Sequence, residues 1–344
     1  GADWAERRRC HPVFAQIQAT GGKLRGKNAE GWEKIAAAAE AKLGRRTPLE
    51  AVKLPPYYPD HPDIRRDWAA YLDSVRMTDV MVGEVIARLK REGVLENTLV
   101  IFMTDHGISH ARGKQFLYDE GIHVPLVIAG PGVKAGAVRH DVVEHIDIAA
   151  LSLAAAQIGV PDYMQARDIL AKDYQPRAAA FSARDRCDET VDHLRSVRST
   201  RYKYIRNFLP ARPHLQPCAY KDAKAILQAL RAWHTAGKLN DTQQLLFQPT
   251  RPQEELYDLA NDPHEINNLA RDPKHAAMLK TMRGQLDQWM QKTGDHGRRP
   301  EPARMYDSDM ALYLDKVKRK GDAAHLKTLQ DNIAQMKRWA KEGK

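Results

Sequence analysis

Apolar residues recur along this chain with two different periods, and the change of period marks out its elements. His11–Gln18 groups Val13, Phe14, Ala15 and Ile17 and predicts a short buried strand, stopped by Gly21-Gly22. The Ala-rich Glu30–Leu43 predicts a helix. The Pro-rich Leu54–Asp63 predicts an ordered loop, because proline blocks both helix and inner strand. A long helix follows, capped by Asp63 and running to Lys90, with Leu72, Val75, Val82, Ile86 and Leu89 on one face at helical spacing. That face is expected to lie on a sheet. Thr98–Met103 and Val124–Ala129 are apolar enough to be inner strands covered on both faces, which predicts a βαβ-type layout. Ile146–Ile158 reads as a helix and Ala178–Ala183 as a further strand. From Leu194 the texture changes to short alternating strands, Ser196–Ile205 and Glu255–Leu259, then a helix over Lys274–Thr293 and a basic helical tail after Gly294. The predicted fold class is therefore α/β, a mixed sheet flanked by helices with a smaller C-terminal antiparallel sheet plus helix. The expected divisions are 1–193, 194–295 and 296–344.

Composition narrows the function classes more than it names one. The 344 residues are 43% hydrophobic and 28% charged, the balance of a globular protein rather than a disordered one. No apolar run approaches the ~20 residues of a membrane span. The formal charge of +10 is spread along the chain and is densest near the end, among Lys316, Lys318, Arg319 and Lys320. With no zinc-finger spacing and no aromatic RNA-binding motif, the charge points to an acidic substrate rather than to nucleic acid. Cys10, Cys187 and Cys218 are too few for a disulfide framework or a zinc site and leave room for one bridge. Gly1–Arg9 has no signal-peptide pattern, and the motif content below leads us to expect that the sequence starts inside a longer chain.

Candidate chemistry sits between the two apolar strands. Leu99–Met103 delivers Thr104-Asp105-His106-Gly107 to a strand end, where open α/β sheets bind ligands. Asp105 offers a hard oxygen donor suited to Ca²⁺ or Mg²⁺, whereas His106 tilts preference toward Zn²⁺ or Mn²⁺. Taken alone, Asp-His-Gly at a strand end is more often just a turn. The next stretch is His110-Ala111-Arg112-Gly113-Lys114-Gln115-Phe116-Leu117-Tyr118-Asp119-Glu120-Gly121-Ile122-His123-Val124-Pro125.

This passage resembles the sulfatases of the alkaline-phosphatase-like superfamily, in which a strand ending in Asp-His-Gly or Asp-Asn-Gly precedes a Gly-Lys segment, a Tyr-Glu-Glu-Gly-like turn and a strand opening Val-Pro. The likeness extends to Asp79 and Gly83 in the long helix, to Glu144–Asp147 with Gly159–Pro161, and to Arg198–Asn207. It includes Glu255-Leu256-Tyr257-Asp258-Leu259-Ala260-Asn261-Asp262-Pro263-His264-Glu265, a C-terminal signature whose role is read as structural. The resemblance implies that Asp105 and His106 are metal ligands, most simply for Ca²⁺, and that Lys114 contacts the sulfate and stabilises charge as the S–O bond breaks. It brings in His110 as a catalytic candidate, with Arg112, His123 and Arg184 as substrate-binding candidates. Arg184 belongs to the charged loop Ala183–Glu189, which reads equally well as a solvated loop. The implied partner is a sulfated small molecule or glycan, with no nucleic acid and no membrane, and the implied location is periplasmic or secreted.

The sequence also departs from the family pattern. Sulfatases convert the cysteine of Cys-x-Pro/Ala-x-Arg to formylglycine, and that motif is absent: Cys10-His11-Pro12-Val13-Phe14 copies its first positions but places Phe14 where arginine is required. The paired aspartates of the first strand and a Lys-x-His stretch are missing too. Lys23 stands near a position where a histidine is common, and His123 where an arginine is common. The expectation is a sulfuric ester hydrolase whose nucleophile half lies elsewhere, so that this chain alone is inactive. Alternatives are a phosphate or phosphonate monoester hydrolase of the same superfamily and a non-catalytic, anionic-glycan-binding relic.

Overall fold

The computed structural model describes residues 3–6, 12–19, 21–297, 299 and 301–344. Cys10 and His11 lie outside the described residues. Residues 12–18 form no strand: Val13, Phe14 and Ile17 are exposed, Phe14 at 78%, and no described strand runs beside them. Apolar content alone cannot make a strand whose backbone finds no ladder partner.

Helix α1 (Ala29–Leu43) is capped by the Asn28 side chain, which accepts from the Gly31 amide, and ends at Gly44 in the left-handed conformation. Helix α2 (Pro62–Arg91) is capped two residues earlier than expected. Its cap is His61, whose Nδ1 accepts from the Asp63 amide, with Pro62 at the first position, where a missing N–H costs nothing. The face α2 buries also differs from the predicted stripe. Ile64, Asp67, Ala70, Asp73 and Ser74 are buried while Val75 is 43% exposed, because α2 packs on α1, on the turn Gly21–Leu24 and on helix α6 below, rather than on a sheet.

Strand β1 (Val100–Met103) leads through the single turn α3 (Asp119–Ile122) to β2 (Leu126–Ala129). The two pair antiparallel, Val100 opposite Ala129 and Met103 opposite Leu126, so the expected βαβ crossover is not formed. The connection is a loop with one helical turn. A chain that doubles back on its own strand needs no crossover helix. Helix α4 (Asp147–Ala155) follows, with Asp147 bound by both Arg177 Nη atoms at 2.5 and 2.6 Å.

The second sheet is a four-stranded antiparallel meander of β3 (Ala180–Cys187), β4 (Thr190–Arg198), β5 (Tyr202–Asn207) and, after α5 (Ala219–Asp222), α6 (Ala225–Thr235) and α7 (Asp241–Gln244), β6 (Glu254–Asp258). The predicted single strand Ser196–Ile205 is a hairpin turning between β4 and β5. Helix α8 (Ala276–Thr293) covers one face, packing Met282, Leu286 and Met290 on Val197, Tyr204 and Leu256. The basic tail forms a helical hairpin, α9 (Ala303–Arg319) and α10 (Ala323–Lys341), with its own apolar seam of Tyr306, Met310, Leu329, Ile333 and Met336. It docks through Glu189, which accepts from Asn332 Nδ2 at 2.8 Å and through its backbone carbonyl from Tyr306 at 2.9 Å. Among the described residues no helix is long and apolar enough to cross a membrane. Cys187 and Cys218 are free.

Candidate active site

The loop from Thr104 to Pro125 is folded tightly on itself. Gly107 donates to Gly121 O at 2.9 Å, Lys114 to Ile108 O at 2.7 Å and Phe116 to Gly113 O at 2.9 Å. A Cβ at Gly107 would lie 1.9 Å from Glu120 O, and one at Gly113 would lie 2.0 Å from Ile108 O. These two glycines are therefore required by backbone approach rather than by a turn. Ala111, Phe116, Leu117 and Tyr118 belong to the same apolar core as Tyr58, Leu194, Ile226 and Leu246, so the loop is wedged between α2 and the C-terminal sheet.

That wedge splits the predicted site residues into two groups. Asp105, His106 and Lys114 sit on the rim. The Asp105 side chain is 74% exposed, with one carboxylate oxygen 3.5 Å from His106 Nε2 and 4.0 Å from Lys23 Nζ. His106 Nδ1 donates to the Gly107 carbonyl at 2.7 Å, which fixes the tautomer and leaves the Nε2 lone pair free. Burial pushes the His106 pKa down, helped by the charge of Lys114 and opposed by the Gly107 contact. Nε2 and the hydroxyl of Thr104 are both buried without a hydrogen-bond partner. A neutral imidazole nitrogen with no partner, beside a carboxylate, is the donor set a divalent cation takes. Asp105 and His106 thus fit part of a metal shell, and no group of three or more His, Cys, Asp or Glu converges among the described residues. Lys114 Nζ lies 5.5 Å from the Tyr220 ring centroid, and among the described residues no carboxylate forms an ion pair with it.

His110, Arg112 and Arg184 face inward instead. His110 is fully buried, stacked on Trp68 with centroids 4.6 Å apart, and its Nε2 meets Asp67 Oδ1 at 2.5 Å. Burial and the charge of Arg25 push its pKa down to about 4. Burial works to raise the Asp67 carboxyl, but the His110 and Arg25 contacts outweigh it and hold it low. Arg112 donates to the carbonyls of His264 and Glu265 and lies 3.7 Å over the Tyr118 ring. The C-terminal signature thus grips this loop directly, and Glu265 Oε2 accepts from the Asp119 amide at 2.6 Å. Arg184, on β3 rather than in a loop, pairs with Asp192 at 3.2 Å and donates to Gln115 O. His123 is exposed, 3.5 Å from Asp119, at an open cleft of about 390 Å³ that Arg198 and Arg201 also line.

Four residues were missed by sequence reasoning. Arg25 binds Asp67 at 2.7 Å and Ser109 O at 2.8 Å. Lys224 donates to Ser109 O at 3.0 Å and Oγ at 2.7 Å, Lys221 donates to Lys114 O at 2.5 Å, and the Tyr220 hydroxyl shares a 3.0 Å hydrogen bond with Ser109 Oγ. A sequence signal existed only for the partner of Arg25, Asp67, an acid at helical spacing between Ile64 and Ala70.

The sulfatase family model matches residues 9–158, and the model described as N-sulphoglucosamine sulphohydrolase, C-terminal, matches residues 106–212. An ulvan-active sulfatase of Formosa agariphila is 33% identical over 72% of this chain and 42% of its own length. The human N-sulphoglucosamine sulphohydrolase is 30% identical over 72% of this chain and 52% of its own length. The chain thus spans about half the length of these relatives. Among solved structures, a 2-O GAG sulfatase superposes with a TM-score of 0.51 at 23% identity, over 70% of this chain and 47% of that one, a likeness of fold.

Proposed function

Because the chain belongs to the sulfatase family, we propose that the whole protein hydrolyses sulfate esters or sulfamates on glycans, with Asp105, His106 and Lys114 contributed by this chain. The observation that carries the proposal is the unpartnered Nε2 of His106 beside the Asp105 carboxylate at the end of β1, with Lys114 charged on the same rim. The relatives support the substrate class, since one is a sulphohydrolase of N-sulphoglucosamine and the other a sulfatase active on ulvan.

Asp105 and His106 would hold a divalent cation, with Ca²⁺ first in order and Mg²⁺, Mn²⁺ or Zn²⁺ as substitutes. Such a cation supplies Lewis-acid charge to sulfate oxygens. The Gly107 carbonyl keeps the His106 ring in the tautomer that leaves Nε2 free to bind. Lys114 places a compact ammonium where a sulfate oxygen or a departing alkoxide carries negative charge, an interaction stronger in the transition state than in the ground state. The formylglycine nucleophile belongs to the proposal rather than to this sequence, which contains no Cys-x-Pro-x-Arg or Cys-x-Ala-x-Arg. With two side-chain donors and no such nucleophile, the chain by itself is proposed to bind the cation weakly and not to turn over sulfate.

In the whole protein, Asp105→Asn should weaken Ca²⁺ binding about tenfold or more by calorimetry and lower turnover of an aryl sulfate in parallel, because an anionic oxygen is lost. Folding should be untouched, the side chain being exposed. Unchanged Ca²⁺ affinity would remove Asp105 from the metal shell.

A further inference from the structure

We propose that Lys221 is a positioning residue for Lys114, through which the connection between β5 and β6 takes part in the site; this rests on the reading of Lys114 as the sulfate-contacting group. Lys221 comes from α5, more than a hundred residues along the chain, and is only 2% exposed. Its Nζ donates to the Lys114 carbonyl at 2.5 Å, lies 3.4 Å from Ala111 O, and sits 4.7 Å over the Phe116 ring. Since the Lys114 amide is held by Ile108 O at 2.7 Å, both backbone polar groups of Lys114 are fixed while its ammonium projects free of any carboxylate pair among the described residues.

The arrangement is costly for a purely structural plug. An ammonium buried among Phe116, Cys218 and Arg184 loses its hydration and, among the described residues, forms no ion pair with a carboxylate, and burial with the nearby Arg184 charge brings its pKa down to about 7. An apolar side chain of the same length would fill the space without that penalty. What the ammonium adds is direction, donors aimed at the two carbonyls that bracket Arg112 and Gly113. It is also one of four buried basic side chains on neighbouring carbonyls, with Arg25 and Lys224 on Ser109 O and Arg184 on Gln115 O. Together they hold Ser109–Gln115 from beneath, under the rim where Lys114 emerges.

The test is a double-mutant cycle in the whole protein, read by aryl sulfate hydrolysis, with amide hydrogen exchange of residues 109–116 as a second readout. Lys221→Met should lower kcat/KM about tenfold in the wild type and less than about twofold in a Lys114→Ala background, because the group it positions is then gone. Exchange in 109–116 should quicken, with the β3–β6 sheet unchanged. Equal losses in both backgrounds, or quickened exchange across the sheet, would make Lys221 merely structural and overturn the proposal, as would unchanged exchange in 109–116. If the wild type shows no turnover, the sulfatase reading fails on its own, and the exchange pattern still decides whether Lys221 holds the loop. Should Lys221→Met not fold, Lys221→Gln, which keeps an N–H donor without the charge, takes the same two measurements.

Discussion

His106 and His110 stand four residues apart on one loop, and their surroundings are opposite. On the rim, His106 spends one nitrogen on a backbone carbonyl and keeps the other without a partner, beside an exposed carboxylate and two lysines. On the underside, His110 is enclosed by Trp68, Tyr58 and Tyr71, with its Nε2 committed to an aspartate that Arg25 and Trp32 also bind. Both rings are kept neutral by burial and each keeps one nitrogen without a hydrogen-bond partner, but His106 Nε2 stands beside an exposed carboxylate, whereas His110 Nδ1 is sealed among aromatic rings. The same loop thus presents an open pair of donors on one face and packs into the core with the other. What separates the two nitrogens is access, because an unpartnered atom sealed in a close-packed core has no route to a ligand.

The division can be broken most forcefully from below. Asp67→Ala should cost about 3–5 kcal/mol of unfolding free energy, since it leaves the Arg25 guanidinium buried without its carboxylate and His110 without its acceptor. Urea titration reads this directly; a loss under about 1 kcal/mol would show that water enters and the layer is not dry.

Lys114→Ala in the whole protein sharpens the other side. It should lower kcat about 10²-fold with the melting temperature nearly unchanged, the scale of removing one preorganised charge. A large fall in melting temperature with normal kcat would move Lys114 to the structural face.

The smallest effect is a pH slope. His110 titrates near 6.5 when unfolded and is pushed down to about 4 in the fold, so between those values the unfolded chain binds more protons and stability falls as pH drops. Burial also holds His193 and His214 low, so the wild-type slope is shared. His110→Gln, which can still donate to Asp67 but does not titrate, should remove one share, roughly 1–2 kcal/mol across pH 6.5 to 4.5. An unchanged slope would mean that His110 keeps its proton in the fold.

Much of this was legible from residues alone. The helices α1, α2 and α8 and the strands β1 and β2 follow from apolar period and turn residues, and the motif singles out Asp105-His106 and Gly113-Lys114 as candidates, because each is set within a short window of chain. Val13–Ile17 shows the limit of such windows: its apolar content fits a strand, yet a strand exists only where another backbone completes its ladder. The orientation of β2 against β1, and the face of α2 that is buried, were likewise out of reach, since neither is encoded by the period of one segment.

The sequence by itself determined which residues carry charge, which can ligate a cation, and which glycines let the Thr104–Pro125 loop close on itself. Only the tertiary structure decided which of them remain available. Arg112, His110 and Arg184 have the right chemistry for an anionic substrate, and the fold uses their donors on His264, Glu265, Asp67, Gln115 and Asp192 instead. Lys221 and Lys224 carry no local signal and reach the loop from beyond β5, Lys221 from α5 and Lys224 from the turn between α5 and α6. The physical reason is that burial is a property of the packed whole: a side chain becomes part of a core or stays free according to what distant segments bring against it, and the desolvation that follows decides whether its charge is spent or kept.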